Sequence, residues 1–204
     1  MFQEDEFARF RELIVQSGKK ANGKDLSYIS SEALSTAFNG KELTVEQQAL
    51  VDMTVNTINS NDKHFVEYTT GDGVISSKGQ SAFSGELEKA GFPMATIISA
   101  NGGLPVSLIS GLGGDGLTVQ TSNGTHSVIV GNNHINGRAV TTGHEVIGHG
   151  RSLSVGRGQA NQHVDAIQTE NLILRVMGIN YINNGSNHGP KTIIPNATAI
   201  PGFR

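Results

Sequence analysis

Hydrophobic positions along the chain change their period twice. Phe2, Phe7, Phe10, Leu13 and Ile14 recur at helical spacing and predict a packing helix over 2–16. The polar stretch SGKKANGKDLS at 17–27 predicts a linker, and a short helix is expected at 30–38. Residues 43–60 predict a further helix. Val45, Leu50, Val51, Val55 and Ile58 would form its apolar face, and Thr44 with Gln47 three residues on would form a capping box. From 64 to 131 the pattern shortens to β-prone runs: HFVEY (64–68), ATIIS (95–99), LTVQT (117–121) and HSVIVG (126–131). SNG at 122–124 reads as a hairpin turn, while NGG (101–103) and GLGGDG (111–116) read as loops. Helical spacing then returns over about 139–149 and 161–177, with Asn161 as N-cap and Gly178 as stop of the second helix. GRSLSVGRGQA links the two, and the tail from 182, rich in Asn, Gly and Pro, is expected to be irregular. The expected organisation is an N-terminal helical segment and linker over 1–42 and a single α+β domain over 43–204, with a small, mostly antiparallel sheet.

Composition narrows the chemistry. The 204 residues carry a formal net charge of -3 and no Lys/Arg-rich run, which argues against nucleic acid as a partner. There is no cysteine, so disulfides and thiolate metal sites are excluded and any transition metal must be held by His and carboxylates. No apolar run approaches the roughly 20 residues of a membrane-spanning helix, so membrane insertion is not expected. The acidic, amphipathic start lacks the basic and apolar stretches of a signal peptide. The expectation is therefore either a chain not exported by that route or a piece of a longer one. GLGGDG lacks the Lys-Ser/Thr ending of a phosphate loop, and no Gly-x-Ser-x-Gly elbow occurs.

The segment GRAVTTGHEVIGHGRS carries the chemistry. It places His144, Glu145 and His149 in the pattern His-Glu-x-x-x-His. In an ideal helix of 3.6 residues per turn, positions i and i+5 lie about 140° apart, too far to share a metal. The pattern works if the helix is widened locally by a π-bulge, which Gly148 would ease. The two imidazoles would then bind Zn²⁺, and Glu145 would act as general base on a zinc-bound water. A catalytic zinc needs about three protein ligands and an open position. His163 is the first candidate for the third ligand and Glu170 the second; they share a helix face seven residues apart, whereas Asp165 points elsewhere. For the donor that stabilises the oxyanion, His188 is the first candidate and Tyr181 the next. His126 and His134, flanking an expected edge strand, are read as structural or exposed, and His64 begins a strand and carries no argument.

HEVIGHG resembles the longer zinc motif of the dipeptidyl-peptidase-III family, in which a second helix carries the third ligand three residues before an alanine. Laid onto this chain, that alanine is Ala166 and the ligand position is His163, where the family has Glu. The likeness covers the two helices only. A broader one, over about 126–178, is to metallopeptidase toxin domains at the C-termini of RHS-repeat polymorphic toxins. It rests on the zinc helix and on Glu170, Asn171 and Arg175 in TENLILR. These resemblances imply a zincin-like metallopeptidase: a zinc-dependent enzyme hydrolysing peptide bonds in a peptide or protein substrate. They also imply an effector or toxin domain of a larger secreted protein, with an immunity protein as partner. Two other readings compete, a zinc hydrolase of a non-peptide amide bond and a non-enzymatic, zinc-stabilised binding module. Glu145 weighs against the last, because a structural zinc site has no use for a general base.

Overall fold

The computed structural model describes residues 42–69, 71–131, 135–186 and 193–203. The helices expected at 2–16 and 30–38, the linker at 17–27, His134 and His188 all lie outside the described residues. What is described is an α+β domain with six helices and one three-stranded mixed sheet. In chain order these are α1 (Val45–Ile58), β1 (Lys63–Thr69), α2 (Ser77–Lys89), α3 (Met94–Asn101), α4 (Val106–Gly113), β2 (Gly116–Thr121), β3 (Gly124–Val130), α5 (Ile135–Thr142) and α6 (Gly158–Val176). Between α5 and α6 the helix continues as a π-helical segment, Gly143–Arg151, and a closing turn, Ser152–Ser154. No helix among the described residues is long and apolar enough to cross a membrane.

α1 begins with the capping box that its sequence predicts. The Thr44 hydroxyl accepts from the Gln47 backbone N–H at 3.3 Å, and the Thr44 N–H donates to Gln47 Oε1 at 2.8 Å. Its buried face differs from expectation: Val45 is 75% exposed, while Ala49, Leu50, Val51, Met53 and Ile58 are buried. Val45 sits in the first turn, away from the stripe that packs on α6 and the π segment.

The sheet order is β1-β3-β2. β2 and β3 form the expected hairpin, with Thr121 opposite Gly124, whereas β1 pairs with β3 in parallel. The sheet is thus mixed rather than mostly antiparallel. The run at 126–131, expected to lie at the edge, is instead the central strand, and β1 and β2 are the edges. The run ATIIS at 95–99 is helical, within α3. Met94, Ile97 and Ile98 recur at helical spacing and face one apolar cluster, and this periodicity overrides the β-branched composition. Helices α2 and α4 went unread in the sequence, where glycines interrupt both: Gly79 and Gly85 in α2, Gly111 and Gly113 in α4.

Alternation along the strands sends side chains to two different neighbours. Val119 and Val128 pack with Phe83, Leu104 and Ile109 under α2–α4. On the other face, Val66 and Ile129 pack on Val146 of the π segment. A second large cluster joins α1 to the π segment and α6 through Leu50, Met53, Ile147, Leu172 and Ile173. The α6 helix starts earlier than expected. Asn161 is not its N-cap but lies inside it, donating to the Arg157 carbonyl at 2.8 Å. Gly178, with φ 67°, ends it as expected.

Gly148 has another role than the one its sequence position implies. Its φ is ordinary; what it supplies is a missing Cβ, which would run into Ala166 of α6. Gly148→Ala is therefore expected to destabilise the domain by about 1 kcal/mol net, an overpacking cost of about 2 kcal/mol exceeding the ~1 kcal/mol gained in helix propensity. Gly85→Ala, in an open stretch of α2, is expected to stabilise by about 0.5–1 kcal/mol. Urea midpoints of the two variants against wild type check both signs.

His64 is buried, with Nδ1 2.9 Å from Thr125 Oγ1. Burial, reinforced by Arg151 and only partly offset by Asp62, lowers its pKa from 6.5 to about 4. A depressed imidazole pKa means the unfolded chain takes up this proton first as pH falls. Its contribution is thus complete above pH 6.5 and is lost on descending towards pH 4, by up to about 3 kcal/mol. Unfolding free energies measured between pH 7 and 4 should fall less steeply in His64→Asn than in wild type.

Candidate functional site

The π segment decides which side chains meet. Hydrogen bonding from i to i+5 sets residues five apart on one side of the helix. Gly143 and Gly148 accordingly both face α6, against Ile173 and Ala166. One step on, His144 and His149 lie together, with ring centroids 5.0 Å apart and planes at 66°. One step further, Glu145 and Gly150 both face the sheet, at Thr118 and Thr125. The expected widening is therefore present, and it extends over nine residues rather than one bulged position.

Each histidine is anchored through Nδ1. His144 Nδ1 lies 2.9 Å from Glu170 Oε2, and His149 Nδ1 lies 3.1 Å from Gln162 Oε1. Both partners come from α6, where 162, 166 and 170 fall on one face at i, i+4 spacing, with Ala166 as the point of closest approach. Glu170 Oε2 also accepts from Asn183 Nδ2 at 3.0 Å. Asn183 is held by Asn171, which donates to the Asn183 and Ala197 carbonyls and accepts from the Asn183 N–H. His163 stands beside His149, with centroids 6.2 Å apart. Asp165 does point elsewhere: it is bound by Ser152 at 2.6 Å and by Arg157. Arg175 pairs with Glu46 at 2.7 Å, not with Glu170.

Glu145 is buried. Thr118 Oγ1 lies 2.6 Å from its Oε2 and 3.1 Å from its carbonyl oxygen, and Ser127 Oγ is 2.8 Å from the same hydroxyl. Burial raises the Glu145 pKa, and Glu170 adds to this, against the opposing effects of His144 and Thr118. For His144, burial disfavours the charged ring. The Glu170 hydrogen bond and the charges of Glu145 and Glu170 outweigh it and hold the pKa above its ordinary value.

A cavity of about 840 Å³ opens onto His144, Glu145 and Glu170. Leu112, Tyr181 and Asp115 also line it. Tyr181, 59% exposed, is thus brought to the site, as expected of a candidate donor; His188 lies outside the described residues. His126 is structural, packed on Phe65 and Phe83.

Two imidazoles sharing one tetrahedral ion through about 2 Å bonds have ring centroids about 5 Å apart, the separation of His144 and His149. His163 stands about an ångström further out. As arranged, no group of three His, Cys, Asp or Glu side chains among the described residues could hold a metal ion. The donor chemistry of the histidine pair fits zinc, and Glu170, turned onto His144 Nδ1, takes the part of an orienting partner.

Sequence reading missed Gln162, Asn183, Thr118 and Gly116. The i, i+4 row 162–166–170 was available as a signal for the first. Nothing in the sequence links Thr118 or Gly116 to Glu145. No protein-family model, no curated protein and no solved structure matches this chain.

Proposed function

We propose that this domain is a zinc-dependent peptidase, with zinc held by His144, His149 and His163. The observation that carries the reading is the pairing of two imidazoles 5.0 Å apart, each with Nδ1 committed to an α6 oxygen, directly beside a buried glutamate. Bound there, zinc would supply Lewis-acid polarisation of the scissile carbonyl and make water acidic enough to attack near neutral pH. Glu145 takes the proton of the attacking water and passes it to the leaving amine. Burial, which raises its pKa, makes it a stronger base than an exposed carboxylate. Glu170 and Gln162 hold the imidazoles in one tautomer and orientation.

The cavity limits the substrate. The charged side chains among its described lining are Asp115, Glu145 and Glu170, with no Lys or Arg, and Leu112, Val140 and Leu174 add apolar wall. Such a lining fits a neutral, partly apolar stretch of peptide better than a chain-terminal carboxylate, which favours cleavage within a chain. The likeness of TENLILR to the RHS-associated toxin domains supports an effector role, with an immunity protein as the expected partner. In this chain, Asn171 and Arg175 of that pattern serve the scaffold, pinning the segment after α6 and tying α6 to α1. The second reading, a non-enzymatic binding module, draws on His163 standing off from the pair.

Metal analysis of purified protein is expected to find one equivalent of zinc, absent in His149→Ala and retained in Glu145→Gln. Against a library of peptides blocked at both ends, Glu145→Gln should cleave about 10²–10⁴-fold more slowly than wild type. Zinc without cleavage of any peptide would favour the binding module, and no zinc would sink both readings. Glu170→Ala is expected to weaken zinc binding about 10–100-fold, the loss typical of an orienting partner. Competition with a chelator measures it, and complete loss of metal would instead make Glu170 a ligand.

A further inference from the structure

We propose that the edge strand β2 is a cradle that sets the position of the Glu145 carboxylate, with Gly116 giving it room and Thr118 holding it. This rests on Glu145 being the base of the proposed peptidase. β2 divides its side chains by alternation: Leu117 and Val119 go to the cluster under α2–α4, and residues 116 and 118 are left for the opposite face. On that face the two positions do different work. A Cβ on residue 116 would lie 2.6 Å from Glu145 Cγ and 3.0 Å from its carboxyl carbon. The closest clash falls on the stem of the glutamate, with Oε1 also at 3.0 Å, so any side chain at 116 displaces the carboxylate.

Thr118 has one proton and two acceptors within reach on Glu145. With Glu145 ionised, as a base must be, the carboxylate oxygen at 2.6 Å takes it in preference to the carbonyl at 3.1 Å, since a charge-assisted bond is the shorter and stronger. With that proton used, the 2.8 Å contact to Ser127 requires Ser127 to donate to Thr118. Ser127 is fully buried on the central strand, so its own position is fixed. The sheet thus runs a hydroxyl relay, Ser127 to Thr118 to Glu145 Oε2, and Oε1 is the oxygen left for the attacking water. Helix and sheet divide the labour: α6 orients the histidines, and β2 and β3 orient the base. Thr118 is a positioning residue, acting through Glu145.

The test pairs Thr118→Val, which keeps shape and removes the donor, with Thr118→Ser, which restores it. The expected result for Thr118→Val is kcat lower by about 10–10²-fold, with KM and zinc content unchanged and with recovery in Thr118→Ser. In its crystal structure the Glu145 carboxylate should leave its wild-type position, as it should in Gly116→Ala. Unchanged kcat, or a Glu145 side chain that stays in place in both structures, overturns the proposal. Should Thr118→Val not fold, Ser127→Ala serves in its place under the same criteria. A wild-type protein without zinc or cleavage would defeat the peptidase reading. The Glu145 position in the variant crystals would still decide for or against the cradle.

Discussion

Everything at this site depends on one departure from ordinary helix geometry, the i to i+5 winding of Gly143–Arg151. A π-helix is rare because it closes a wider, less well packed turn than an α-helix, so the surroundings must hold it. Here they do so on two sides. Gly143 and Gly148 let α6 approach until Ala166 meets the backbone, and Gly150 lies over Thr125 and His64 on the sheet. Between these small residues the chain places its chemistry: His144 and His149 towards α6, and Glu145 towards β2. A single change of winding therefore sorts glycines, imidazoles and carboxylate onto three faces. In an α-helix the two histidines would diverge and the glycines would no longer share a side.

The sheet contributes through the same kind of economy. Because β3 is central and parallel to β1, its inward residues Thr125, Ser127 and Ile129 form a row under the π segment, aligned with His64, Val66 and Tyr68. The apolar members of that row fix the height of the helix by packing on Val146, while His64 and Thr125 bond each other and Tyr68 reaches Thr142 at the end of α5. The opposite face carries the cluster under α2–α4, so the strands are held from behind by ordinary hydrophobic burial. That burial gives the hydroxyls on the helix side a rigid base.

Much of the site was legible because local signals coincide with it. The i+5 spacing of the histidines demands a widened helix, the Thr44–Gln47 box announces α1, and the SNG turn announces the β2–β3 hairpin. What was not legible falls into two kinds. Helices α2 and α4 are glycine-interrupted and α3 is β-branched, so local propensity disagrees with a helical periodicity that tertiary packing rewards. Contacts such as Thr118 with Glu145, or Asn183 with Glu170, join residues from different elements, and neither residue type nor spacing announces them. The parallel β1–β3 pairing is likewise non-local: it depends on three helices and a strand intervening, not on a turn. For Gly148, the sequence pointed to the right residue for the wrong reason, since the constraint is a neighbouring helix rather than its own backbone.

Charge alone does not demand a metal here. His144 protonated against Glu170, with Glu145 neutral, would leave no buried charge uncompensated, and the directions in which His144 and Glu145 are shifted allow that state. The stronger constraint is directional. Facing a carboxylate oxygen and an amide oxygen, Nδ1 of His144 and of His149 are the donors, which fixes the orientation of both rings. An ion pair would use one such ring, not two set side by side 5.0 Å apart. What holds the two rings there is α6, through a glutamate, a glutamine and a close backbone approach. A cation shared by the two rings is the proposed reason for that arrangement, and in a chain without cysteine imidazole is its natural ligand.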